Sequence, residues 1–260
     1  MDTEEQRLRD EELASYSADD RVISSIEYAD LIARESKPSV VLKSGIPTLD
    51  AAIGGFCPGE LTTISGETGN GKTLIAQTLT NAFDREERNA LWFSFEVPAK
   101  QFLSQFGENL PLFYLPATLK DKSLAWIDAR IMEAVVKYQI HAVFIDHLHY
   151  LVDLRAGNNM SLEIGGIMRW LKKAALRHNV AVFLLAHTQK ISFDREPDCN
   201  SIRDSSFVAQ ESDNVIFIWR RPAEHPNQAV IKIAKDRKNG VRDKKITLVK
   251  EGRFLVELES

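Results

Sequence analysis

Residues 66–73 read Gly-Glu-Thr-Gly-Asn-Gly-Lys-Thr and satisfy the pattern G-x-x-x-x-G-K-[ST] in full. The flanks are in register with it. Leu61-Thr62-Thr63-Ile64-Ser65 is a short, mostly apolar β-prone run, and Thr73 to Phe83 can form a helix. A strand, a glycine-rich turn and a helix N-terminus together present backbone N–H groups and a positive dipole end to an anion. The expected phosphate-binding residues are Gly66, Glu67, Thr68, Gly69, Asn70, Gly71, Lys72 and Thr73. Around Gly69 and Gly71 a side chain would crowd the β-phosphate. Lys72 would reach the β- and γ-phosphates, and the Thr73 hydroxyl would hold Mg²⁺. The chain is therefore expected to bind a nucleoside triphosphate, and few folds other than an α/β sheet accept that segment.

The rest of the composition bounds this reading. At 260 residues and 44% hydrophobic content, the chain supports one sizeable α/β domain with a small appendage. No apolar run reaches the ~18 residues of a membrane span, and the acidic first 20 residues do not read as a signal peptide. Cys57 and Cys199 match no paired metal pattern, so free thiols, no zinc and a reducing cytosol are expected. A net charge of −4 argues against a wholly basic nucleic-acid coat and leaves room for a local basic loop or pore.

Along the chain, residues 21–35 carry Val22, Ile23, Ile26 and Ala29 at helical spacing, packed on their own domain or laid on a neighbouring subunit. Residues 1–39 form a helical arm and 40–260 the core. Strands are expected at 90–94, 141–146, 180–186, 215–219 and 254–258, with a hairpin over 228–234 and 244–249 and a brief strand at 112–115. Helices are expected at 101–106, 123–138 and 162–178. Glu96 closes the second strand, where a carboxylate can orient a water; an isolated glutamate there is more often a neighbour of a helix N-cap or a solvated charge. Asp146 ends a near-continuous apolar strand, and an acid in that place suits Mg²⁺ coordination. His147 and His149 read as packing or hydrogen-bonding residues near the γ-phosphate rather than metal ligands. Gln189, just past the fourth strand, could sense the γ-phosphate. Residues 191–207 are polar without helical period and form a candidate mobile loop holding Arg195 and Arg203. Residues 235–240 make a cationic turn.

The order GGFCPGELTTISGETGNGKT, FSFE, VFIDHLHYL, LLAHTQ, a serine- and arginine-containing loop and IAKDRKNG resembles the RecA-like ATPase core of ring-forming replicative DNA helicases: DnaB, the phage T7 helicase and Twinkle. The resemblance spans roughly residues 40–258 and implies a P-loop NTPase core with a mostly parallel central sheet flanked by helices. It implies ATP and Mg²⁺ as cofactors, with Glu96 as catalytic base, Thr73 and Asp146 on the metal, and Gln189 coupling the γ-phosphate to the DNA loop. Lys235 and Arg237 match the lysine and arginine finger that reach a neighbouring subunit's ATP. Arg203, Asp204 and Ser206 match a pore loop on DNA, which Lys190 and Arg195 would extend. The implied partners are single-stranded DNA, further copies of the chain in a hexamer, and primase or other replication proteins. One departure is local: His147-Leu148-His149 stands where the family carries Tyr-Leu-Gln.

Overall fold

The computed structural model describes residues 3–18, 21–34, 40–152, 160–188, 196–202, 206–220 and 225–258. Two compact units divide the chain, Met1–Ser39 and Val40–Ser260. The first holds helices α1 (Thr3–Ala14) and α2 (Ser25–Arg34). The sequence reading does not assign α1: it is rich in good helix formers, Glu, Arg, Leu and Gln, but has no apolar stripe to betray a period. Helix α2 does have a stripe, yet none of its residues is buried, and Ile26 and Ile32 are exposed.

In the second unit, helix α3 (Pro47–Ile53) leads to strand β1 (Leu61–Gly66), helix α4 (Lys72–Arg85), β2 (Ala90–Ser94), α5 (Ala99–Ser104), α6 (Leu124–Tyr138) and β3 (Ala142–Asp146). Then come α7 (Met160–His178), β4 (Ala181–His187), α8 (Ser206–Glu211), β5 (Asn214–Trp219), β6 (Gln228–Asp236), β7 (Lys244–Glu251) and β8 (Phe254–Glu257). One eight-stranded sheet runs β2-β3-β4-β1-β5-β6-β7-β8. The first five of these neighbours are parallel and the last three add antiparallel.

The central strands are buried almost along their whole length because helices cover both faces. On one face Ile75, Leu79 and Phe83 of α4 meet Trp92, Phe144 and Phe183. Phe144 stacks on both Trp92 and Phe183, with centroids 4.6 Å apart in each pair. Ile127 and Ile131 of α6 and Ile164, Met168 and Leu171 of α7 cover the other face. The buried hydroxyls of β1 are not orphaned: Thr63 Oγ1 lies 2.7 Å from Ser212 Oγ, and Ser65 Oγ donates to the Ala186 carbonyl. Where β1 ends, Gly66 has no room for a side chain: a Cβ there would sit 2.4 Å from the Ile218 carbonyl oxygen of β5.

Two local expectations need correction. Residues 112–115 are not a strand; they touch the sheet through a single bridge, Tyr114 to Leu91, because Pro116 prevents the ladder from continuing. The stretch 191–207 is not one structureless loop. Asp198 and Ser201 form a capping box on the 3₁₀ turn Cys199–Ser201, buried Ile202 bridges Thr188, and Ser206 opens α8. Six residues are too few to show an apolar period, so α8 escapes the sequence reading.

Candidate active site

The parallel strands deliver their last residues to one edge. Gly66 pairs with His187, and Ser94 with Asp146, so the ends of β1 to β4 converge where open α/β sheets hold ligands. A cavity of about 210 Å³ lies there, lined by Thr68, Gly69, Lys72, Thr73, Glu96 and His187 among others. Gly69 has φ +83°, and a Cβ on it would meet nothing within 4 Å. Its requirement is backbone conformation, and the space above it is open.

Lys72 is buried and folded back on the loop. Its ammonium donates to the carbonyls of Gly66 (3.0 Å) and Glu67 (3.1 Å) and lies 3.1 Å from His187 Nδ1. Burial lowers its pKa from the usual lysine range, against the opposing pull of Asp146 and Glu96. Thr73 Oγ1 donates to Asp146 Oδ2 at 2.9 Å. Asp146 is 2% exposed, and its Oδ1 is buried without a hydrogen-bond partner. Burial pushes its carboxyl up to about 6, with the Thr73 hydrogen bond opposing. A buried carboxylate with a spare oxygen beside a threonine hydroxyl suits a small hard cation, so both residues fit Mg²⁺.

Glu96 stands just beyond β2 with a side chain 40% exposed, and its Oε2 is 3.2 Å from His147 Nδ1. A carboxylate only accepts, so His147 carries its proton on Nδ1. Lys72 only donates, so His187 Nδ1 holds a lone pair and the proton is on Nε2. Burial first, then neighbouring His149 and Lys72, drives the His147 pKa down to about 4. Burial and Lys72 do the same for His187, also to about 4. Both rings are neutral at pH 7, with centroids 4.3 Å apart.

Of the residues read from sequence, Lys72, Thr73, Glu96 and Asp146 are brought together. Gln189, Lys190, Arg195, Arg203 and Asp204 lie outside the described residues, and Ser206 is exposed at the start of α8. The polar side chain that β4 sets against the phosphate loop is His187, to which the sequence reading gives no role. Its signal is the strand-end position opposite Gly66, visible only once β1 and β4 are paired.

Lys235 and Arg237 belong to the other end of the sheet. Asp236 pairs with Asn214, and Asn214 with Thr62, about 13 Å short of Gly66 at ~3.3 Å per residue. Lys235 Nζ donates to the carbonyls of Ala209, Gln210 and Ser212, capping the C-terminus of α8. Arg237 donates to Asp213 Oδ1 at 2.9 Å and to the Gln210 carbonyl, with its side chain half exposed.

Comparison with known proteins follows the same lines. Residues 113–254 match the family described as the DnaB-like helicase C terminal domain, and residues 42–110 match the ATPase family described as KaiC. The replicative DNA helicase DnaB of Haemophilus influenzae is 26% identical over 242 residues, covering 78% of this chain and 52% of that one. The Geobacillus stearothermophilus DnaB is 26% identical over 259 residues, covering 83% and 57%. The chain thus spans about half the length of the curated relatives it matches. Among solved structures, one described as an ATPase domain superposes with a TM-score of 0.78 at 20% identity, over 92% of this chain and 100% of that one. A DnaB-like replicative helicase, described together with its interactions with primase, gives 0.76 at 18% identity, over 98% and 71%. At those identities the structures speak for the fold alone.

Proposed function

The chain belongs to the DnaB-like helicase C-terminal domain family, and on that footing we propose that it is an ATP-driven motor that translocates on single-stranded DNA and unwinds duplex, 5′ to 3′. The observation that carries the reading is the set Lys72, Thr73, Asp146 and Glu96 around one cavity at the sheet's phosphate end. Glu96 takes a proton from water as its oxygen bonds to the γ-phosphorus and the bond to the β-phosphate oxygen breaks. Lys72 exchanges its loop carbonyls for phosphate oxygens and offsets their charge. His187, released from Lys72 by that exchange, faces the same phosphate. Thr73 and Asp146 would hold Mg²⁺, which supplies electrophilic charge to the phosphate oxygens.

The reading extends to assembly. Lys235 and Arg237 lie too far from their own phosphate loop to serve it, which supports action on a neighbouring subunit's ATP in a ring of six. Lys190, Arg195, Arg203, Asp204 and Ser206 are proposed to track the DNA backbone, with weak sequence preference and strong salt dependence. Primase or another replication protein is the proposed partner, in a reducing cytosol or in that of a host if a plasmid or virus encodes the chain. Among the described residues, no helix is long and apolar enough to cross a membrane.

Strand displacement on a forked duplex with ATP and Mg²⁺ tests the proposal. Unwinding that depends on hydrolysis and needs a 5′ single-stranded tail is expected. The KaiC match over residues 42–110 favours a second reading, a regulatory ATPase that does not unwind. DNA-independent hydrolysis without displacement would select it.

A further inference from the structure

We propose that Glu96, His147 and His187 form a binding site for a transition-metal ion such as Zn²⁺, distinct from the Mg²⁺ position at Thr73 and Asp146. Glu96 and the two histidines each offer a ligand atom, and the three atoms lie within 4.8 Å of one another. Among the described residues no other group of His, Cys, Asp or Glu side chains comes together in this way. Ligands at ~2.1 Å around a tetrahedral ion sit roughly 3.4 Å apart. The His147 Nδ1 to Glu96 Oε2 distance of 3.2 Å already meets that, and His187 needs an approach of at most about 1.4 Å. Glu96 is accessible enough to admit an ion from solvent.

The donor set decides the metal. Two imidazoles and one carboxylate suit Zn²⁺, Co²⁺ or Ni²⁺, whereas Mg²⁺ prefers oxygen and dehydrates reluctantly. Three protein ligands leave one position for water or a phosphate oxygen. The proton balance is simple. On His147 the ion takes the place of the Nδ1 proton, which moves to Nε2. On His187 the single lone pair now faces Lys72. Whichever ring nitrogen ligates, that lone pair goes to the metal and the ammonium loses its partner. Zn²⁺ therefore engages Glu96 and evicts Lys72 from His187 in one event. This inhibitory consequence rests on Glu96 being the base; the site itself does not.

The site is tested on the full, tag-free, nucleotide-free chain by titration with Co²⁺, read by visible absorption. One equivalent with tetrahedral-type bands is expected. His147→Ala, His187→Ala and Glu96→Gln should each weaken it at least tenfold, and His225→Ala should not. His187→Cys keeps a ligand and should bind with an added sulfur-to-cobalt charge-transfer band, which guards against a folding defect in the alanine variant. A wild-type chain with no one-equivalent site, or alanine variants of unchanged affinity, overturns the proposal. In a second arm, buffered micromolar Zn²⁺ should slow Mg²⁺-ATP hydrolysis by the wild type by tenfold or more, and by a much smaller factor in His147→Ala. Binding of Co²⁺ as described, together with hydrolysis indifferent to Zn²⁺, upholds the site and overturns Glu96 as the base.

Discussion

The two ends of the parallel strands are built on opposite rules. At the phosphate end, Asp146 keeps a buried oxygen without a partner, the two neutral histidines hold their single protons toward or away from ions, and Lys72 rests on its own loop's carbonyls. At the other end the charges are matched. Asp213 accepts from Lys172 at 2.6 Å, from Arg237 at 2.9 Å and from the Leu61 N–H at 2.8 Å, while Lys235 takes three carbonyls. The difference separates two tasks. Groups that must trade partners with a ligand either lack one, as Asp146 Oδ1 does, or hold uncharged ones that a ligand can replace, as Lys72 does. Groups that must hold one direction are tied down.

The largest effect should come from crossing between the ends. Arg237→Ala is expected to lower ATP turnover by ~10³–10⁵-fold, the reach of an arginine finger. Mixed with Lys72→Ala subunits, it should regain activity at hybrid interfaces. Activity that only dilutes, with a monomeric sedimentation profile in ATP and Mg²⁺, would confine Arg237 to its own fold. Next, Glu96→Gln should cut turnover by ~10²–10⁴-fold while nucleotide binding persists, measured by single-turnover hydrolysis and equilibrium titration.

The same chemical change then separates the ends by sign. Asp213→Asn strips the charge from a buried acceptor and leaves the partly exposed Lys172 and Arg237 without it, so denaturant unfolding should show a loss of about 1–3 kcal/mol. Asp146→Asn should stabilise the metal-free, nucleotide-free protein at pH 7.5. A carboxyl raised from 3.8 to about 6 penalises the folded state once ionised. The penalty is full above 6, shrinks as pH falls, and vanishes below 3.8. It amounts to roughly 3 kcal/mol at most. The gain should therefore fade by about pH 4, although Lys72, Thr73, Glu96 and His147 all face the group. Equal effects at both positions would dissolve the distinction.

Much of this is legible in the sequence because it is local. A complete phosphate-loop pattern, an apolar strand ending in Asp146 and a strand ending before Glu96 each depend on neighbours within a few residues. His187 is not legible, because its place depends on pairing with Gly66 on a strand far earlier in the chain. His187 and Gln189 stand two positions apart in the sequence, so a period of two alone cannot choose between them. Helix α8 is too short to show a period, and its cap by Lys235 stays hidden because the capping group arrives from another strand.

The close seam at Gly66 bears on how such chains age. Gly69 answers to backbone shape beneath open space, whereas Gly66 is wedged against the Ile218 carbonyl of the next strand. A descendant freed from turning over nucleotide could drift at Lys72 and Glu96 without losing its sheet. It could not drift at Gly66, where a methyl group would force β1 from β5. In decayed copies of this domain, a surviving first glycine records the joint between two strands and carries no memory of the chemistry.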